Sequence, residues 1–242
     1  MKKGILTLTV ATLSSLMLLG CNSDSNNDTE TTDTTTGDTL ILTSNGMISS
    51  IDRAMPNKII SNLKVTGLQA GDELVGIDYR PKDSKLYAVC FMGNIYTLNP
   101  STGVATFVKK LIAEPTDTTD GNAAFSTIIG DANLITVNFN PVADRLRVIT
   151  NTGQNLRINV DTGATITDGA INLAAGSATV VAGAYTNAFA GTSSTKLYSI
   201  DQNSDRVYLQ NANAGTLGSS AVLGADINTN GGGALDIDPV SN

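Results

Sequence analysis

No histidine occurs in the 242 residues, which removes the side chain that most often serves as general base and metal ligand near neutral pH. A Ser–His–Asp or Cys–His nucleophile is therefore impossible in this chain. Tryptophan is absent too, and the only cysteines are Cys21 and Cys90. Cys21 directly follows the N-terminal hydrophobic leader and is expected to be modified there, which leaves Cys90 alone, so no intrachain disulfide is expected. Cys90 lies in the apolar run Leu86-Tyr87-Ala88-Val89-Cys90-Phe91 and reads as a small buried hydrophobe rather than a reactive thiol. Positive charge is scarce: 15 Lys and Arg stand against 22 acids, for a net charge of −7. Nucleic-acid binding needs clustered Lys and Arg at the phosphates, and this balance argues against it. Gly231-Gly232-Gly233 precedes a strand-like run without the Lys and helix of a phosphate loop.

One long hydrophobic run is present, and it is at the front. Lys2 and Lys3 precede 15 residues, Ile5 to Leu19, broken only by Thr and Ser. A spanning helix needs about 20 apolar residues, so this run is short for an anchor and suits a secretion signal. Its end, Leu18-Leu19-Gly20-Cys21, resembles the lipobox of bacterial lipoproteins. That resemblance implies cleavage after residue 20 and diacylglycerol on the Cys21 thiol, a lipidation that ties the chain to a membrane. Asn22 to Asp38 holds six Thr, five acids and no aliphatic or aromatic residue. Such a segment cannot bury enough apolar surface to offset its ordering entropy. Residues 21–38 are thus expected to be the lipidated Cys plus a disordered acidic, Thr-rich tether, reaching about 20–25 Å. Asn22 in place of Asp after the cysteine favours, by resemblance to Gram-negative sorting, the outer membrane of the cell envelope.

Residues 39–242 read as one all-β domain. Short apolar or alternating runs are separated by Gly, Asn, Asp, Ser and Pro at about ten-residue intervals, and they repeat as a set. One unit runs from Leu74 to Pro81, Leu86 to Val89, Asn94 to Pro100 and Val104 to Val108. The next runs from Leu134 to Pro141, Leu146 to Ile149, Asn155 to Val160 and Ala164 to Ile166. Ser101-Thr102-Gly103 and Asp161-Thr162-Gly163 fill equivalent turns, where Gly supplies positive φ. A looser copy covers Val180 to Thr186, Lys196 to Asp201 and Arg206 to Gln210. Thr39 to Ser44, Met47 to Asp52 and Lys58 to Leu63 supply three strands lacking a leading one. Four strands per unit of about 45–60 residues is blade-like. The expected fold is a β-propeller of four-stranded antiparallel blades, with a β-sandwich as the alternative. Gly233 to Pro239 reads as a further leading strand. Either it completes the first three strands and closes four blades, or it opens another blade of a truncated five-bladed ring; the second is favoured.

Several stretches together resemble the bacterial DUF4394 family: Gly67 to Pro81, Phe139 to Val148, Thr152 to Arg157 and Ala184 to Asn187. The resemblance runs from about Leu40 to Pro239. It implies a propeller-like domain and brings no established activity, substrate or catalytic residue. Family members usually continue into one more Leu- and Tyr-rich unit, so the domain is expected to be incomplete at its C-terminus.

Two polar clusters are candidate sites. Asp78, Asn138 and Asp236 each stand three residues before a Pro, and Arg80, Asn140 and Asp238 stand one before. Residues two apart share a strand face, so ring symmetry would bring Asp78, Asn138 and Asp236 to the axis as a channel or Ca²⁺ site. The bland reading is that they bond backbone N–H groups. Arg145, Arg147 and Arg157 form a candidate anion site, against plain pairing with Asp144, Asp161 and Asp168. The leading expectation is a non-catalytic, lipid-anchored envelope protein that recognises a protein or glycan and needs no cofactor. The alternatives are a Ca²⁺-dependent, lactonase-like hydrolase and a truncated fragment of a longer family member.

Overall fold

The computed structural model describes residues 36–117, 123–227 and 232–239. The leader, Cys21 and the tether as far as Thr35 lie outside them. Among the described residues no helix is long and apolar enough to cross a membrane.

The chain folds as four antiparallel sheets in a β-propeller arrangement. The first blade holds β1 (Thr39–Leu42), β2 (Met47–Asp52) and β3 (Met55–Lys64). The second holds β4 (Leu74–Arg80), β5 (Lys85–Cys90), β6 (Asn94–Leu98) and β7 (Ala105–Lys110). The third holds β9 (Ile135–Asn140), β10 (Arg145–Thr150), β11 (Asn155–Ile158) and β12 (Ala164–Thr167), with β8 (Ile112–Ala113) added on its outside. The fourth holds β13 (Val180–Tyr185), β14 (Leu197–Asp201), β15 (Arg206–Gln210) and β16 (Leu217–Val222). The leading strands β4, β9 and β13 pack side by side.

Alternation within strands builds the core between blades. On β5, Leu86, Ala88 and Cys90 join Ile48 and Val65 of the first blade, while Tyr87 and Val89 join Phe139, Leu146 and Val148 of the third. Ile149 of the third blade packs with Val180, Tyr185 and Leu197 of the fourth. The second and third sheets are thus sandwiched between neighbours, which is why so many positions of β5 and β10 are buried on both faces.

A second device joins successive blades. After the outer strand of each of the first three blades the chain pairs in parallel with the outer strand of the next. The bridges are Thr66 to Val104, β8 to β12 (Ile112 beside Ala164), and Asn172 to Thr216. The turn glycines make room for it. Gly103, Gly163 and Gly215 all have positive φ (72°, 81° and 71°), and a Cβ on them would meet the carbonyl oxygens of Lys64, Lys110 and Ala170 at 2.6, 2.2 and 2.3 Å. These turns need glycine for conformation and again for close approach. The corresponding turn of the first blade, Asp52-Arg53-Ala54-Met55, has none.

Gly233 to Pro239, expected as a strand, forms no ladder. Gly233 lies against Val181 and Ala182 of β13, while Asp238 pairs with Arg53 in the β2–β3 turn. The segment links the fourth blade to the first by contact rather than by backbone pairing. The looser third copy gains a fourth strand, β16, that its sequence pattern did not reveal.

Candidate functional site

The polar residues singled out from sequence are spread over the contacts between blades. Asp78 on β4 accepts the Phe139 N–H of β9 at 2.6 Å, and Asn138 on β9 accepts the Tyr185 N–H of β13 at 2.8 Å. The two side chains do the same job one blade apart, stitching neighbouring leading strands. Burial pushes the Asp78 carboxyl well above the ordinary carboxylate range; the Phe139 N–H opposes this, and the nearby Asp236 charge raises it further. Among the described residues, Asp236 accepts its neighbour's N–H, from Ile237 at 2.8 Å. The structure therefore gives Asp78 and Asn138 structural partners and brings Asp236 within electrostatic reach of Asp78. Among the described residues no group of three or more acidic or cysteine side chains is arranged to hold a metal ion.

The arginine cluster divides. Arg147 and Arg157, cross-strand partners on β10 and β11, converge on Asp168 at 2.6 and 2.9 Å, and that carboxylate is 1% exposed. Arg147 also reaches Asn155, the Tyr185 hydroxyl and Asn213, tying the third blade to the fourth. Asn155 in turn donates to the carbonyls of Gly169 and Ala212. Asp168 holds the Arg157 guanidinium above its ordinary range. Arg145 takes no part and donates to the carbonyls of Ala143 and Asp144 in its own turn.

Asp144 and Asp161 were expected to pair with this arginine group. They pair instead with Arg80, whose guanidinium is gripped bidentately by each: 2.7 and 2.6 Å to Asp144, 2.8 and 2.9 Å to Asp161. Asp83 and the Tyr87 hydroxyl complete the shell. Arg80 is 3% exposed, and it fixes the end of β4 to two turns of the third blade. Its charge holds both carboxyls below their ordinary range, first through the hydrogen bonds themselves. The sequence carried the signal, since Arg80 stands where Asn140 and Asp238 stand in the other copies. Which blade it would reach was not visible there.

Cys90 is fully buried, and burial together with Asp72 pushes its thiol up to about 12. At such a value thiolate is negligible near neutral pH, as expected of an inert core cysteine. Asp72 also collects Asn94 at 2.9 Å and the Tyr96 hydroxyl.

Residues 47–242 match the family model described as "Domain of unknown function (DUF4394)". The chain belongs to the DUF4394 family. No curated protein matches the sequence. The DUF4394 domain is similar in structure to the WD40 repeats of RRP9, at 15% identity and a TM-score of 0.41 over 71% of this chain and 43% of that one. It is also similar to BamB from Moraxella catarrhalis, at 15% identity and a TM-score of 0.31 over 76% of this chain and 44% of that one. A third likeness is to the computationally designed Ika4 protein, at 12% identity and a TM-score of 0.34 over 66% and 77%. The chain spans less than half the length of the first two. Scores this low add nothing to the architecture, which rests on the four sheets themselves.

Proposed function

We propose that this DUF4394 protein is exported, cut before Cys21 and held at the cell envelope by lipid on that cysteine. In this reading the propeller acts as a non-catalytic recognition domain for an envelope protein or glycan. The observation that carries it is the leader: two lysines, a 15-residue apolar run and Leu18-Leu19-Gly20-Cys21, followed by a tether free of apolar residues. The non-catalytic half draws support from the absence of histidine and from polar side chains already spent on blade-to-blade bonds. A Ca²⁺-dependent hydrolase finds support only in the nearness of Asp78 to Asp236. Against it, the Asn138 oxygen is taken by the Tyr185 N–H.

The test is labelled-palmitate incorporation and membrane fractionation of the full chain in a bacterial host. Native protein takes up label and sediments with membranes, and Cys21→Ser does neither. If Cys21→Ser is processed and retained as before, the anchoring reading fails. Calcium titration calorimetry of the native chain and of Asp78→Ala tests the hydrolase alternative, which needs heat from the first and its loss in the second.

A further inference from the structure

Charge is divided unevenly along the chain. Residues 53–113, from the β2–β3 turn to the end of β8, hold eight Lys and Arg against four acids, while residues 114–242 hold five against twelve. Two stretches of the first part, 53–71 and 84–113, contain no acid at all. They include β3 and β7, the outer strands of the first and second blades. β3 carries Lys58 and Lys64, and β7 carries Lys109 and Lys110, whereas β12 and β16 carry no charge. All four lysines are exposed, and none has an ion pair or side-chain hydrogen bond among the described residues.

The two strands follow one another along the rim. The connector leaving β3 bridges Thr66 to Val104, and the Thr66 carbonyl accepts the Ala105 N–H, so β3 ends beside the start of β7. Apolar side chains are interspersed with the lysines. Met55, Ile59 and Ile60 on β3 and Phe107 on β7 are exposed, Ile59 at 62%. Lysines on an edge strand are a common guard against edge-to-edge pairing. That purpose does not account for large apolar side chains left in water beside them, three on one strand, which mark a surface with a partner.

The tether enters the fold at this same rim. Asp38, its last residue, accepts the Arg53 backbone N–H at 3.0 Å and the Arg53 Nε–H at 3.1 Å, and Arg53 lies in the turn that opens β3. A lipid on Cys21 therefore keeps the start of β3 within the tether's reach of the bilayer, about 20–25 Å.

We propose that β3 and β7 rest on an anionic membrane surface, with Lys58, Lys64, Lys109 and Lys110 at the lipid phosphates and Ile59, Ile60 and Phe107 at the edge of the acyl layer. Lysines near a bilayer are drawn to anionic headgroups, and apolar side chains between them add buried area. The same headgroups repel the acid-rich residues 114–242. The lipid thus anchors the protein, and the rim sets its orientation. The inference rests on the anchored reading above and names the surface that meets the membrane.

The test floats the full chain on vesicles of phosphatidylcholine alone and of phosphatidylcholine and phosphatidylglycerol in equal parts. An amine-reactive label and peptide mass mapping then report each lysine, with exposed Lys196 of the fourth blade as reference. On the anionic vesicles, labelling of Lys58, Lys64, Lys109 and Lys110 falls about threefold or more relative to Lys196, and salt of about 0.5 M restores it. On neutral vesicles all five label alike. Lys58→Glu combined with Lys109→Glu, both at exposed positions, removes the protection of Lys64 and Lys110 while circular dichroism stays native. Equal labelling on both kinds of vesicle overturns the proposal, as does protection that this charge reversal leaves unchanged in folded protein. Protection seen on isolated envelopes and never on vesicles assigns the rim to a protein partner and overturns the membrane contact. Flotation on neutral vesicles depends on the anchor and not on the rim. Its loss, with protection on anionic vesicles intact, would therefore sink the anchoring reading alone.

Discussion

The corner between the second and third blades and the corner between the first and second are built from the same turns, yet they have opposite characters. In one, two carboxylates and a buried guanidinium close the gap with four short hydrogen bonds. In the other, Ser84 and Ser101 stand where the carboxylates stand, and the face of the second blade beside them, from Tyr79 to Thr106, is a wide, open depression. The repeated backbone supplies equivalent positions; Arg80, Asp144 and Asp161 turn one set of them into a closed joint. Equivalent positions of neighbouring blades therefore differ in how tightly they are tied, and substitutions at those positions should show it.

The largest effect is expected at the most deeply closed contact. Asp168→Ala strands Arg147, which is 2% exposed, beside Arg157 without their shared carboxylate. Removing one partner of a buried pair costs about 3–5 kcal/mol, to be read from urea unfolding. Arg80→Ala comes next. Asp161 is half-exposed and screened, so about 2–3 kcal/mol is expected, and Arg80→Lys should not restore it because two bidentate grips need the planar fork. In contrast, Thr106→Arg on the open face should move stability by no more than about 0.5 kcal/mol. A comparable loss there would break the distinction between the closed joint and the open face.

Glycine substitutions sharpen it further. Gly163→Ala forces positive φ on a side chain and drives its Cβ into the Lys110 carbonyl, for a cost of about 1–3 kcal/mol. Gly46→Ala has the same φ penalty but open space around it, and should lose only about 1–2 kcal/mol.

The smallest effect is one of pH. Asp144 and Asp161 are held low by Arg80, so their contribution is full above the unfolded carboxylate value, about 3.9, and is lost as pH falls through their folded values. Asp78 runs the other way. Its folded value is raised, so its cost is absent below the unfolded value and grows as pH climbs towards the folded one. Asp78→Asn imitates Asn138 and keeps the acceptor for Phe139. It should leave stability unchanged near pH 3 and increase it towards pH 7 in parallel thermal melts.

Much of this was legible in the chain because strand alternation and turn chemistry are local. Gly103 and Gly163 marked their turns, and the apolar run from Leu86 to Phe91 marked a strand with Cys90 buried in it. Asp78 and Asn138 were seen to be equivalent, and their bonding of backbone N–H groups was among the readings the pattern allowed. What depends on a distant neighbour was not visible. The partner choice of Asp144 and Asp161 turns on which blade Arg80 faces. Gly233 to Pro239 has the composition of a leading strand but lacks ladder pairing, a property of its surroundings rather than of its residues. β8 is two residues long, too short for any periodicity.

The parallel bridges after β3, β7 and β12 bear on how the protein is made. Each connector docks on a strand that comes out of the ribosome later than itself, about 40–50 residues downstream. During vectorial, N-to-C delivery each of the first three sheets is therefore followed by a connector that waits until the next sheet emerges and captures it. Growth of the molecule is a relay in which each newcomer completes the one before, so a chain stalled between two of the four sheets would be left with one uncaptured connector.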